Sequence, residues 1–247
     1  MQRRHVELWA PGIEAHGVLL AYSHWGRPLL VFPSEGGWTW EYETGGMVDA
    51  ITPLIAAGRL KLCCVDFFEE ASWSNAAAPL EERARAHGRY EARILEQLVP
   101  WIHGDCGAQE IVATGCSLGA YHAANFALKR ADLFPLALCL SGSYDPANWR
   151  HAWGHRGDET YFNSPIDYVA NLQGDHLEWL RSRVSLLLVC GQGMWEDTTG
   201  ALDSTQRFAE RLRDKDIRHE LDLWGHDVPH DWPSWRAQIA HHLPRFC

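Results

Sequence analysis

The sequence predicts an α/β fold: a mostly parallel eight-stranded sheet with helices on both faces. Three observations carry that expectation. Short apolar, β-rich runs bounded by turn residues recur along the 247-residue chain. Amphipathic helical patterns separate the later runs but not the first ones, so the sheet should begin antiparallel and become parallel. One run, ending at Thr114, passes through a glycine-flanked turn, GCSLG, straight into a helical pattern.

The strand-like runs are His5–Trp9, Gly17–Tyr22, Leu29–Phe32, Leu60–Val65, Glu110–Thr114, Leu136–Leu140, Ser185–Cys190 and Glu220–Trp224. The clearest helix starts near Pro79, with Glu81 and Glu82 in its first turn and Tyr90, Ile94, Leu98 and Trp101 at helical spacing. A second follows Ser117, a third covers Thr205–Asp216, and a last one runs from near Pro233 to His242. Residues 141–183 break the alternation: they are rich in Trp, Tyr, His and Asn and show little periodicity before HLEWLRSR. They read as a partly helical, aromatic-rich insertion over one end of the sheet. No repeat, low-complexity tract or linker divides the chain, so residues 1–247 are expected to form a single domain.

An apolar content of 46% with 22% charged residues implies a substantial core. The net charge of −10 argues against nucleic acid and against anionic membrane surfaces as partners. No stretch is apolar enough to span a bilayer, and the start, MQRRHVELWAPG, lacks the apolar region of a secretory signal. The seven cysteines are odd in number and most sit in apolar runs (LKLCCVDFF, LALCLSG, LLLVCGQG), as reduced buried thiols would. A cytoplasmic location is the expectation.

Gly115-Cys116-Ser117-Leu118-Gly119 fits G-x-S-x-G in the context that gives it meaning, strand before and helix after. Such a turn holds the serine in a strained conformation, and side chains at Gly115 and Gly119 would strike neighbouring backbone. Ser117 is thus the expected nucleophile, with the Leu118 N–H at the helix start as one oxyanion donor. Cys116, at the x position, is read as a packing residue.

A serine nucleophile needs a base, and in this topology the order is serine, acid, histidine. WGHDVPHDWPSW, residues 224–235, offers His226 and His230. Pro229 keeps the two histidines from sharing a helix interior, and His226, Asp227 and His230 match no standard zinc spacing. No metal or cofactor is called for. For the acid, VCGQGMWEDTTG after the seventh run offers Glu196 and Asp197; Asp145 is read as a turn former before Pro146. The second oxyanion donor is expected from VFPSEGGWTWEY after the third run, at the backbone amide of Glu35 or Gly36. Trp38, Trp40, Trp149 and Trp153 fall on loops expected to ring the site, where filling loop cores is favoured over stacking on a ligand. His122 is read as a packed or surface histidine, and Asp66, Glu69 and Glu70 as a solvated loop.

With ATGCSLGAYHA at the turn, CGQGMWED after the seventh run and HDWPSW near the end, the chain resembles the putative-esterase branch of the α/β-hydrolases. That branch includes esterase D-type enzymes and mycobacterial mycolyltransferases. The resemblance implies the α/β-hydrolase fold and an H-x-W-x-x-W segment opened by the catalytic histidine, which here is His230-Asp231-Trp232-Pro233-Ser234-Trp235 and selects His230. The mycolyltransferase spacing of the acid lands on Asp197, the esterase D spacing on Glu196.

Together these residues describe a carboxylesterase acting on a small or medium ester through a Ser-His-acid triad and an acyl-enzyme. The same groups would serve an acyltransferase, and a weakly catalytic binding protein on the same fold is the remaining alternative. The expected partner is a small-molecule ester or acyl substrate, with no nucleic acid and no membrane. Aromatic residues near the insertion leave room for a homodimer.

Overall fold

The computed structural model describes residues 2–10, 14–23, 25–66, 68–108 and 110–247. Its strands are β1 (Arg3–Ala10), β2 (Ala15–Tyr22), β3 (Arg27–Phe32), β4 (Leu60–Val65), β5 (Val112–Cys116), β6 (Leu136–Leu140), β7 (Ser185–Cys190) and β8 (His219–Leu223). They form one eight-stranded sheet in the order β1-β2-β4-β3-β5-β6-β7-β8. β2 pairs antiparallel with β1 and with β4; every other pairing is parallel.

The central strands read as unbroken apolar runs because both faces are covered. Alternate side chains go to opposite sides. Leu30, Phe32, Cys63, Val65 and Ala113 join one core layer with helices Leu80–Arg93, Leu118–Lys129, Gly174–Arg183 and Ala201–Asp214. Leu29, Val31, Leu62, Cys64 and Val112 join the other, with helices Met47–Ala56 and Trp232–His242. The sheet's edge strands, β1 and β8, are only partly buried.

Several boundaries differ from the sequence reading. β5 lies further along the chain than Glu110–Thr114, because Gly115 and Cys116 still pair with Cys139 and Leu140 of β6. The helix expected from Thr205 begins at Ala201, after Gly200 in a left-handed conformation (φ 76°). The helix after Pro79 continues through a π turn at Ile94–Leu98 into Val99–Cys106. Pro100 has no N–H for the carbonyl four residues back, and the wider turn just before it absorbs the mismatch. Helix Met47–Ala56 has no counterpart among the helices expected from the sequence, and Pro53 sits inside it. Residues 141–183 carry helices Asp158–Phe162, Pro165–Asn171 and Gly174–Arg183.

All seven cysteines are free, and Cys63, Cys64, Cys116, Cys139 and Cys190 are buried. Among the described residues no helix is long and apolar enough to cross a membrane, and no cluster of three or more His, Cys, Asp or Glu side chains could hold a metal ion.

Candidate active site

The parallel strands β3, β5, β6, β7 and β8 end at the same edge of the sheet, and the loops that follow them carry the candidate site residues. β5 leads into helix Leu118–Lys129 through Ser117, whose backbone is left-handed (φ 55°, ψ −119°). That conformation is unfavourable for a residue with a Cβ and has to be held by its surroundings. Here the Ser117 N–H donates to the Leu140 carbonyl at 2.8 Å, and its own carbonyl accepts from Ala120 N at 3.0 Å. The flanking glycines are needed for close approach. A Cβ on Gly115 would lie 2.4 Å from the Gly119 carbonyl carbon, and one on Gly119 would lie 2.2 Å from the Phe32 carbonyl oxygen. Cys116 points into the fold, where burial pushes its thiol well above the ordinary range.

Ser117 is half-buried, and Leu118 is the first residue of the helix, so its N–H has no carbonyl partner within that helix. After β3, residues Ser34–Gly37 form a turn closed by Gly37 N–H donating to Ser34 O at 2.9 Å, with Gly36 at φ 69°. A positive φ at the third position is that of a type II turn, which favours glycine there. The amides of Glu35 and Gly36 lie at the exposed crown of this turn.

The loops after β7 and β8 are joined along their backbones. Trp224 N donates to Cys190 O at 2.9 Å, Gln192 N to Gly225 O at 3.2 Å, Gly193 N to Val228 O at 2.9 Å and His230 N to Met194 O at 3.0 Å. A Cβ on Gly191 would lie 2.1 Å from the Val228 carbonyl oxygen, so the two loops can approach this closely only with glycine there. Trp195 is left-handed (φ 73°), which turns the next side chain inward. Glu196 is fully buried, and its Oε2 lies 2.9 Å from His230 Nδ1. Its Oε1 accepts from Ser141 Oγ at 2.6 Å and from Gly191 N at 3.3 Å. Ser141 follows β6, is itself left-handed (φ 51°), and accepts in turn from Trp235 Nε1 at 3.1 Å. Sequence reasoning missed Ser141. Its only trace in the sequence is a serine directly after the β6 run.

Other residues singled out from the sequence lie apart from this pair. Asp197 is exposed and accepts from the Thr198 N–H at 2.8 Å; His226 is exposed as well. Asp145 directly precedes the turn at Pro146–Asn148 and accepts from the Asn148 side chain (Nδ2) at 2.6 Å. His122 is buried among Phe32, His87, Tyr90 and Tyr121, and burial depresses its pKa to about 3. Asp66 and Glu69 are not the solvated residues expected. Asp66 pairs with Arg93 at 2.6 Å and accepts from Val18 N at 2.7 Å. Glu69 is buried, with Oε1 3.6 Å from His122 Nε2. Residue type alone could not separate them from the exposed Glu70, because burial here is decided by the helices that pack over the strand end.

Of the tryptophans, Trp149 fills a loop core, edge-on to Trp73 and Tyr121. Trp38 and Trp40 are about half exposed and stacked face to face, centroids 5.3 Å apart and planes at 6°. Trp38 and the Gly36-Gly37 backbone form one wall of a cavity of about 210 Å³ whose other lining residues are Phe68, Glu69, Glu70 and Ala71.

A family model described as "Putative esterase" matches residues 36–246. The chain belongs to the putative esterase family. Its activity class is that of an esterase, and the sheet order and helical layers are those of the α/β-hydrolase fold. Among solved structures, MPT51 (FbpC1) of Mycobacterium tuberculosis is similar over 99% of this chain and 97% of that one, at 14% identity and a TM-score of 0.76. An S-formylglutathione hydrolase from Agrobacterium tumefaciens is similar over 99% and 97%, at 14% identity and a TM-score of 0.73. A ferulic acid esterase is similar over 99% and 98%, at 19% identity and a TM-score of 0.71. No curated protein matches this esterase in a sequence comparison.

Proposed function

We propose that this protein is a carboxylesterase for small or medium esters, working through Ser117, His230 and Glu196. The observation that carries the reading is the 2.9 Å contact between His230 Nδ1 and the buried Glu196 carboxylate, at the sheet edge where Ser117 is presented. A carboxylate at Nδ1 keeps the proton on that nitrogen and leaves Nε2 as the acceptor. Asp197, turned to solvent, has no part in this chemistry.

Nε2 takes the proton of Ser117 Oγ as the oxygen attacks the ester carbonyl carbon. The oxyanion that forms is held by the Leu118 amide and by an amide of Glu35 or Gly36. Collapse breaks the bond to the alcohol oxygen, which leaves with the proton from Nε2. Water, deprotonated by the same nitrogen, then attacks the acyl-enzyme, and the acid is released with Ser117 restored. The cavity beside Trp38 borders the oxyanion turn and would take the acyl or alcohol group. Seven free thiols favour a reducing compartment, the cytoplasm.

The test is hydrolysis of p-nitrophenyl esters of graded chain length, with Ser117→Ala as control. Turnover that vanishes in the variant supports the reading, and the chain-length optimum sizes the pocket. A wild type with neither turnover nor a burst of nitrophenol would refute it.

A further inference from the structure

Glu41 lies at the start of a short helix, Glu41–Thr44, seven residues beyond Ser34. Its side chain folds back under the turn at Ser34–Gly37. Oε1 accepts from the Ser34 backbone N–H and Oε2 from the Ser34 hydroxyl, each at 2.8 Å. Of the four amides in the turn, that of Ser34 is engaged by Glu41 and that of Gly37 by the Ser34 carbonyl. The other two are those of Glu35 and Gly36. A Cβ on Gly37 would sit 1.9 Å from Glu41 Oε2, so the glycine makes room for this carboxylate.

The same short helix touches the serine turn. Tyr42, the next residue, is fully buried with its hydroxyl 3.8 Å from Cys116 Sγ, directly before Ser117. Tyr42 also meets Trp232 edge-on, at 6.4 Å between centroids. One four-residue segment therefore ties the turn after β3 to the turn after β5.

A buried carboxylate is an expensive way to brace a loop. Burial pushes Glu41 up to about 7 even though both Ser34 hydrogen bonds pull the other way. An apolar side chain of similar size could fill the space, but it could not hold both donors of Ser34.

Building on the serine-esterase reading above, we propose that Glu41 is a positioning residue for oxyanion stabilisation. Its carboxylate fixes the Ser34–Gly37 turn so that an amide at Glu35 or Gly36 faces the carbonyl oxygen of an ester at Ser117. Glu41 touches no substrate; it acts through the turn.

The experiment compares an ester with its thionoester, whose carbonyl sulfur is a poor hydrogen-bond acceptor, in wild type, Glu41→Ala, Glu41→Gln, Gly37→Ala and Ser117→Ala. Removing one oxyanion donor typically lowers kcat ~100-fold or more, so displacing one through the turn should lower ester kcat at least ~10-fold in Glu41→Ala. KM should stay within about threefold, since the lost interaction belongs to the transition state. The preference for ester over thionoester should narrow in Glu41→Ala and Gly37→Ala. Glu41→Gln, which still offers an acceptor to the Ser34 N–H, should keep most of the wild-type kcat and preference. A smaller folded fraction scales both substrates alike and leaves the preference untouched. Ser117-dependent turnover in wild type with an unchanged preference in both Glu41→Ala and Gly37→Ala would overturn the role of Glu41 and leave the esterase reading standing. Absence of Ser117-dependent turnover in wild type would overturn both.

Discussion

The indole of Trp235 stands edge-on to the imidazole of His230, ring centroids 4.9 Å apart and planes at 81°. Its N–H is used elsewhere, donating to Ser141 Oγ, which donates on to Glu196. One side chain thus limits the swing of His230 and, through a serine, fixes the carboxylate opposite. Trp232-Pro233-Ser234-Trp235 forms the first helical turn behind an Asp231 cap that accepts from Ser234 N at 3.0 Å. The spacing from His230 to Trp235 therefore brings the indole back over the imidazole.

Trp235→Phe keeps a ring edge against His230 and removes the donor to Ser141. It should lower kcat about 3–10-fold with little change in KM. Trp235→Ala should also destabilise the fold by about 3–5 kcal/mol, as large-to-small changes at buried aromatics do. Steady-state kinetics and denaturant unfolding of the two variants check this; a Phe variant as fast as wild type would show that packing alone matters.

The acid and base assignments are tested by two paired substitutions. Glu196→Gln should lower kcat by ~10³–10⁴, the scale seen when a triad acid loses its charge and the wrong tautomer results. Asp197→Asn, at an exposed position, should stay within about twofold. Likewise His230→Ala should abolish turnover while His226→Ala keeps most of it. Equal losses within either pair would undo the assignment.

Gly119→Ala introduces a methyl group 2.2 Å from the Phe32 carbonyl oxygen. Backbone has to move to admit it, so a loss of about 1–3 kcal/mol is expected, with kcat falling because the shift acts on the serine turn. Unfolding midpoints and kcat measured together would show it, and an unperturbed variant would contradict the close approach.

Glu69 makes stability depend on pH in the sense opposite to most carboxylates. Burial, assisted by the charge of Glu35, pushes it up to about 8 from an ordinary 4.5. Between those values the folded state holds a proton that the unfolded chain has released, so stability falls as pH rises from about 4.5 to 8 and levels off above. The buried His122, depressed to about 3, acts on the acid side and withdraws its contribution as pH drops below its ordinary 6.5. Glu69→Gln removes only the first effect. Relative to wild type its stability should improve steadily from pH 5 to 8; parallel curves would show Glu69 to be ionised in the folded protein.

The strands were legible because doubly covered β-runs are apolar throughout, and the serine turn because its determinants lie within five residues, Gly115 to Gly119. The rest depends on contacts between distant segments. Nothing in MWEDTT distinguishes Glu196 from Asp197 until Trp195 adopts a left-handed backbone and the β8 loop closes over it. Ser141 and Glu41 resemble ordinary loop residues, since each acquires its partner only when a turn folds back. Glu69 was misread as solvated for the same reason: its burial comes from helices elsewhere in the chain.

The backbone ties between residues 190–194 and 224–230 bear on how this site can change over time. Because main-chain groups set the distance from Glu196 to His230, the exposed side chains of Met194, His226 and Asp227 are free to drift without disturbing the pair. These positions are natural targets for saturation mutagenesis aimed at new substrate ranges, while the glycines at 191 and 193 should resist every replacement.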